Sequence, residues 1–375
     1  MVHGWVRARR RLEWLAGTSD PRVTLRVWLA TAVAGEGISP ALAESLRVGG
    51  VDLGRLRTID NDLDKIADPI ARLGIELSYP DWIVRRALAS YGADGGRALL
   101  VAMNQRAPLT ARANRLKVDR EQLAKHLDEV GVPSSKTRLA SDGLILDTHE
   151  NVYSLVPFRE GELELMDEGS QLVAELVAPP PRGVVIDACA GAGGKTLALG
   201  AMLGNKGRLL ALDVTEAKLE ELRLRARRAG LTNVTARIVE EGREPAPAGS
   251  ADRVLVDAPC TGLGVIRRNP ETRWRVKESE PAEMAVLQRS ILERYAPLAK
   301  VGGRVIYATC SLLAEENDAV VDGFLADHKD YEEVPLKEVL GKERALAVGD
   351  GTRLRTLPHV HDCDGFFAAI LRRKS

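Results

Sequence analysis

Residues 183–308 alternate short apolar runs with helical stretches, and this alternation limits the folds open to the chain more than any other feature. Residues 183–188 (GVVIDA), 208–213 (RLLALD), 233–239, 253–258 (RVLVDA) and 304–308 (RVIYA) read as five strands. Several of the runs are apolar at nearly every position, as expected of strands covered on both faces. Between them, residues 196–203, 216–229 and 283–298 carry helical periodicity. The predicted fold is α/β, a mostly parallel Rossmann-like sheet with helices on both sides, spanning residues 161–375. Pro179-Pro180-Pro181 forms a rigid lead into the first strand.

The upstream sequence has a different texture. Residues 1–75 read as a short helical N-terminal region, with apolar residues at helical spacing over 25–33, 41–47 and 63–73. Residues 76–160 read as a small α+β domain. Helices are expected over 81–91 and 119–130, and strands over 109–114, 143–146 and 152–155.

The first strand runs into Cys189-Ala190-Gly191-Ala192-Gly193-Gly194-Lys195-Thr196. A glycine turn between a first strand and its helix lets a ligand approach the backbone and aims N–H groups at an anion. A nucleotide P-loop needs glycine six residues before the lysine, and Cys189 stands there. The dinucleotide pattern GxGxxG fails at Thr196. Asp213 ends the second strand, where a carboxylate can accept both hydroxyls of a ribose. Loop and acid together point to an adenosyl ligand.

Asp257-Ala258-Pro259-Cys260 closes the fourth strand and Thr309-Cys310-Ser311 the fifth. Ligands of open α/β sheets bind at the carboxyl ends of strands, and consecutive strands tend to be neighbours. Both cysteines are thus expected in one crevice beside the adenosyl site. A lone free cysteine is usually a small buried hydrophobe, but two at equivalent strand ends call for chemistry. The C5 carbon of a pyrimidine is a weak nucleophile, and a thiolate added to C6 makes it enamine-like and able to attack a sulfonium methyl. Lys195 can favour the thiolate, and Asp257 can bind the ring edge that distinguishes cytosine from uracil. A second thiol can assist expulsion of the first. Position alone leaves open which cysteine attacks.

At this point the residues resemble the Sun/Nop, or RsmB-like, family of RNA cytosine-C5 methyltransferases. DACAGAGGKT (187–196), DAPCTGLGVIRRNPETRW (257–274) and YATCSLLAEEN (307–317) carry the likeness. So do NQRAPLTARANRLK (104–117), LMDEGSQLVAELVAP (165–179) and DGFFAAILRR (364–373). The resemblance implies a class I methyltransferase using S-adenosylmethionine. It implies Cys310 as nucleophile and Cys260 as the thiol of product release, with Asp257 and Lys195 near the target base. It also implies a cofactor site at Cys189, Ala190, Gly191, Ala192, Gly193, Gly194, Lys195, Asp213, Glu241 and Asp257. DNA cytosine methyltransferases attack with the cysteine of the Pro-Cys motif, so the Thr-Cys-Ser motif favours RNA. The loop departs from the family's Cys-Ala-Ala-Pro-Gly-Gly-Lys at Gly191-Ala192, which predicts a higher ordering cost. Glu241 stands where relatives have Asp.

The implied partner is RNA, small-subunit rRNA first and tRNA second, and nothing in the sequence calls for an obligate protein partner. An S-adenosylmethionine- and RNA-binding ribosome-assembly factor without turnover is the non-catalytic alternative. Net charge is zero, whereas nucleic-acid enzymes are usually basic, so RNA contacts must be local. Arg7, Arg9, Arg10 and Arg11 form one basic cluster. Arg106, Arg112 and Arg115 belong to a second, and Arg267, Arg268 and Arg273 with Trp274 to a third. Guanidinium groups suit phosphates and an indole can stack on a base, although charge clusters are more often solvated faces. No metal is expected: His359, His361 and Cys363 alternate as on a strand edge. Four widely spaced cysteines without CxxC predict a reducing compartment. With no signal-peptide core and no membrane-length apolar run, a cytoplasmic location follows as the expectation.

Overall fold

The computed structural model describes residues 2–34, 62–240 and 242–375, so the helix expected over 41–47 and the side chain of Glu241 lie outside the described residues. The chain divides into two compact units, Met1–Arg106 with Ile266–Glu278, and Ala107–Val265 with Ser279–Ser375. These units are cut differently from the three ranges 1–75, 76–160 and 161–375. Periodicity locates elements but carries no information on which ones pack together.

The first unit is helical. Its helices include Val2–Ala16, Pro21–Ala34, Pro69–Leu77 and Asp81–Ala102. Leu12, Leu15, Val27, Leu63 and Ile75 form a core between them. The helical reading over 63–73 is interrupted: the side chain of Asp68 accepts from Ile70 N at 2.9 Å and Pro69 takes the first helical position, so a new helix begins there. The expected helix over 81–91 runs on to Ala102 across a kink at Gly92, whose φ of 73° is open to glycine at little cost.

The second unit holds two sheets. The smaller contains β1 (Thr110–Ala113), β2 (Ser134–Lys136), β3 (Gly143–Leu146) and β4 (Leu163–Leu165), in the order β2-β3-β1-β4 and antiparallel throughout. The helix Arg120–Glu129 covers it with Leu123 and Leu127. The Asp119 and Gln122 side chains close a capping box at that helix's start. The strand expected over 152–155 is instead a 3-10 turn, Val152–Ser154, whose start is capped by Asn151.

The larger sheet contains β5 (Val184–Asp187), β6 (Arg208–Asp213), β7 (Val234–Ile238), β8 (Ala251–Asp257), β9 (Ala299–Thr309), β10 (Tyr331–Glu333), β11 (Arg353–Thr356) and β12 (Phe366–Arg373). Its order is β10-β12-β9-β8-β5-β6-β7, with β11 also on β12. The five strands read from the sequence are the parallel part, β9-β8-β5-β6-β7. β12 joins β9 antiparallel and places Phe367 beside Thr309. Leu172, Leu176, Val185, Leu255 and Ile306 pack on one face, and Ile186, Val254, Val256, Leu292 and Phe324 on the other. The segment containing His359 and His361 is a helical turn, Pro358–His361, rather than a strand edge. His361 is committed to backbone, its ring facing Leu357 N at 2.9 Å and Ala347 O at 2.8 Å. Among the described residues no helix is long and apolar enough to cross a membrane.

Candidate active site

Because β5, β6, β8 and β9 are parallel neighbours in the order β9-β8-β5-β6, their carboxyl ends present Thr309, Asp257, Asp187 and Asp213 along one edge. The loops that follow carry the candidate site.

After β5, the loop reaches the helix Gly194–Met202 through two left-handed glycines. Gly191 has φ 54° and Gly193 φ 93°. At Gly193 a Cβ would also stand 2.7 Å from Leu222 Cγ, so this position tolerates no side chain. The Gly191-Ala192 departure predicted a costly loop to order, and the structure shows how it is held. Gly191 N donates to Asp213 Oδ2 at 2.9 Å, Ala190 N to Leu212 O at 2.8 Å, and Arg225 Nη1 to Ala192 O at 2.7 Å. Arg225 is itself anchored at 3.1 Å to Glu164, a buried acid on β4.

Asp213 lines a cleft of about 460 Å³. Ala188, Cys189, Gly191 and Asp257 line it with Val214, Val239, Leu287, Ile291 and Tyr295. This lining fits an adenosyl ligand, with apolar walls for a base, an acid at the ribose position and loop amides for a carboxylate. Asp213 already accepts from Gly191 N and Thr215 N, and a carboxylate keeps further lone pairs for two hydroxyls. Burial pushes the Cys189 thiol up, so its sulfur stays protonated. The helix Glu280–Tyr295 contributes Leu287, Ile291 and Tyr295, which sequence reading missed. Their i, i+4, i+8 spacing places them on one face, the one pattern that could have shown them.

Lys195 Nζ lies 2.6 Å from Asp257 Oδ2 and 5.1 Å from the centre of the Phe366 ring. Burial by itself depresses an ammonium, but the charge and hydrogen bond of Asp257 outweigh it and raise the Lys195 pKa, with a smaller contribution from Cys310. Asp187, one residue beyond Ile186 in the core, is buried. Thr196 Oγ1 donates to its Oδ2 at 2.7 Å. Burial raises its pKa to about 7, helped by Asp257 and opposed by the Thr196 hydrogen bond and Lys195.

Cys260 Sγ and Cys310 Sγ are 3.3 Å apart. The hydrogen bond with Cys310 is the largest influence on Cys260, and burial adds to it, so the Cys260 pKa is raised well above that of an ordinary thiol. The arrangement sets the two sulfurs within hydrogen-bond distance, either able to donate, with the Cys260 thiol the harder of the two to ionise for the reasons given.

The six expected RNA contacts are not equivalent. Arg106 and Arg115 are exposed, Arg115 pairing with Asp142 at 2.6 Å. Arg268 is half-buried. Arg112 and Arg267 are interior, 3% and 2% exposed. Trp274 donates its indole N–H to Val6 O at 2.9 Å and lies under Arg9. Arg112 and Arg267 are therefore corrected from RNA contacts to internal packing, while Trp274 is half-buried. Proximity in sequence cannot tell which face of a strand or turn a side chain takes.

Residues 174–372 match the family described as 16S rRNA methyltransferase RsmB/F, and residues 79–153 match the RsmF/B-like ferredoxin-like domain. A probable ribosomal RNA small subunit methyltransferase B of Bacillus subtilis is 36% identical over 338 residues, which cover 86% of this chain and 73% of that protein. The crystal structure of PH0851 superposes with a TM-score of 0.75 at 29% identity, covering 95% of this chain and 78% of the other. That of NSun6 from Pyrococcus horikoshii, solved with SFG, has a TM-score of 0.70 over 79% of this chain and 98% of the other, and at 20% identity the likeness is one of fold. The cofactor is S-adenosylmethionine, for which the cleft beside Asp213 is suited. Matched along both its large sheet and its small one, the chain belongs to the RsmB/F family of 16S rRNA methyltransferases.

Proposed function

We propose that the chain methylates C5 of a cytosine in small-subunit rRNA through a covalent bond between Cys310 and C6. The 3.3 Å contact of Cys260 and Cys310 is the observation that carries this reading, and the upward push on the Cys260 thiol supports it. Bound S-adenosylmethionine supplies an electrophilic methyl group. Cys310, as thiolate, adds to C6 and pushes electron density to C5, which takes the methyl. Lys195 stands near enough to contribute positive charge to that thiolate. Asp257 has one oxygen on Lys195 and a second with which to accept from the cytosine amino group. A base at this edge, a water or a side chain, then takes the C5 proton. The C5–H electron pair restores the C5–C6 double bond, and the C6–S bond breaks to return the Cys310 thiolate. Cys260 gives the departing Cys310 sulfur a hydrogen bond, which makes it a better leaving group. Exposed Arg106 and Arg115 and half-buried Arg268 are the remaining candidates for phosphate contacts.

Bisulfite sequencing of rRNA and tRNA from cells with and without the gene tests this. The expected result is one small-subunit rRNA cytosine that loses protection on deletion. Protection should return with the wild-type gene and not with Cys310→Ala. Unchanged protection in all rRNA contradicts the proposal; a lost tRNA site points to the other substrate.

A further inference from the structure

One buried carboxylate joins the two cysteine loops. Glu316 is fully buried, and four neutral donors converge on it. Thr261 N donates to Oε1 at 2.8 Å and Thr261 Oγ1 to Oε2 at 2.6 Å. Gln288 Nε2 donates to Oε1 at 3.0 Å, and Ser311 Oγ donates to Oε2. Thr261 follows Cys260 and Ser311 follows Cys310. Glu316 thus grips the residue after each cysteine.

The two loops depend on it unequally. The Cys310 side has other supports: Gly264 N donates to Cys310 O at 2.8 Å, Asn317 Nδ2 to Ser311 O at 3.0 Å, and Ser311 N to Thr309 Oγ1 at 3.2 Å. The Cys260 side has the two Thr261 bonds to Glu316, Gln288 Nε2 on Pro259 O at 2.9 Å, and Thr261 Oγ1 against Ser311 Oγ at 3.3 Å. Gly264, four residues on, is held by Cys310 O and by Gly365 N at 2.9 Å. Gln288 is itself a Glu316 partner, so its hold on Pro259 is not independent. The charge of Glu316 also adds, after the Cys310 hydrogen bond and burial, to the pressure that keeps Cys260 protonated.

We infer that Glu316 is a positioning residue for product release, holding Cys260 in place to donate to the departing Cys310 sulfur, and that it is dispensable for formation of the covalent bond. This inference rests on the reading under Proposed function. Glu316→Gln keeps the shape but turns one acceptor into a donor facing Thr261, Ser311 or Gln288. Thr261→Val removes a single donor.

The test incubates each variant with S-adenosylmethionine and target-site RNA, and measures product beside denaturant-stable protein–RNA adduct. For Glu316→Gln, turnover should fall about 100-fold while adduct accumulates, because a displacement near 1 Å has that order of effect. Affinity for S-adenosylmethionine should change far less than turnover, since Glu316 reaches that cleft only through Gln288 and Pro259. Thr261→Val should shift both readouts in the same direction by about ten-fold. A folded Glu316→Gln protein that turns over normally, or that loses adduct together with turnover, overturns the inference. If Glu316→Gln does not fold, Thr261→Val decides, and normal release by it overturns the inference. Cys260→Ala is run in parallel: no adduct there refutes the covalent reading itself, whereas adduct there and none with Glu316→Gln refutes only the role of Glu316.

Discussion

Lys195 Nζ and Asp257 Oδ2, one from the glycine loop after β5 and one from the end of β8, form a 2.6 Å ion pair between the cofactor cleft and the cysteines. Asp257 lines the cleft, and Lys195 feels the charge of Cys310. The pair therefore ties the start of the helix Gly194–Met202 to the carboxyl end of β8. Breaking one partner leaves the other charged and largely shielded. Lys195→Met should cost roughly 3 kcal/mol of stability, and adding Asp257→Asn should recover part of it. Urea unfolding of the two single variants and the double variant measures the coupling. Strict additivity would contradict it.

The glycines of the loop should respond in a graded way. Gly193→Ala places a methyl against Leu222 and Leu197 at a φ of 93°, and should cost about 2 kcal/mol and abolish cofactor binding. Gly194→Ala meets nothing within 4 Å and should bind S-adenosylmethionine within about three-fold of wild type. Isothermal titration with S-adenosylmethionine distinguishes the two.

Arg225 restrains the Gly191-Ala192 loop by a hydrogen bond to Ala192 O. Arg225→Met should weaken S-adenosylmethionine binding about ten-fold, from loss of one charge-assisted bond to Ala192 O. Glu164 keeps Arg228 as a partner, so thermal stability should fall little. A large fall in Tm with unchanged affinity would assign Arg225 to packing instead.

The raised pKa of Asp187, about 7 against 3.8 for a free side chain, makes stability depend on pH. Between these values the folded state holds the proton more tightly than the unfolded one. This contribution is therefore complete below pH 4 and is lost as pH rises through 7. Asp187→Asn, which mimics the protonated acid, should gain on wild type by up to about 1.4 kcal/mol per pH unit across that window, then level off. Parallel denaturation curves from pH 4 to 8 provide the check.

The five parallel strands were legible because a strand buried on both faces must be apolar throughout, as Val254, Leu255 and Val256 are. Their carboxyl-end residues, Asp213, Asp257, Cys260 and Cys310, followed from that. β10 and β11 were not, because short edge strands lack such a run: Tyr331-Glu332-Glu333 alternates burial as many loops do. Arg112 and Arg267 misled for a related reason, since a charge cluster does not show which members turn inward. Glu316 lies beside Glu315 in sequence, and only the register after β9 shows which of the two acids meets Thr261.

In the proposed mechanism the two sulfurs 3.3 Å apart have separate tasks. Denaturing electrophoresis of each cysteine variant, after incubation with target-site RNA and S-adenosylmethionine, distinguishes them. Cys260→Ala should carry a nuclease-sensitive covalent adduct of protein and RNA, and Cys310→Ala should carry none. An adduct that persists without Cys310 would contradict the account.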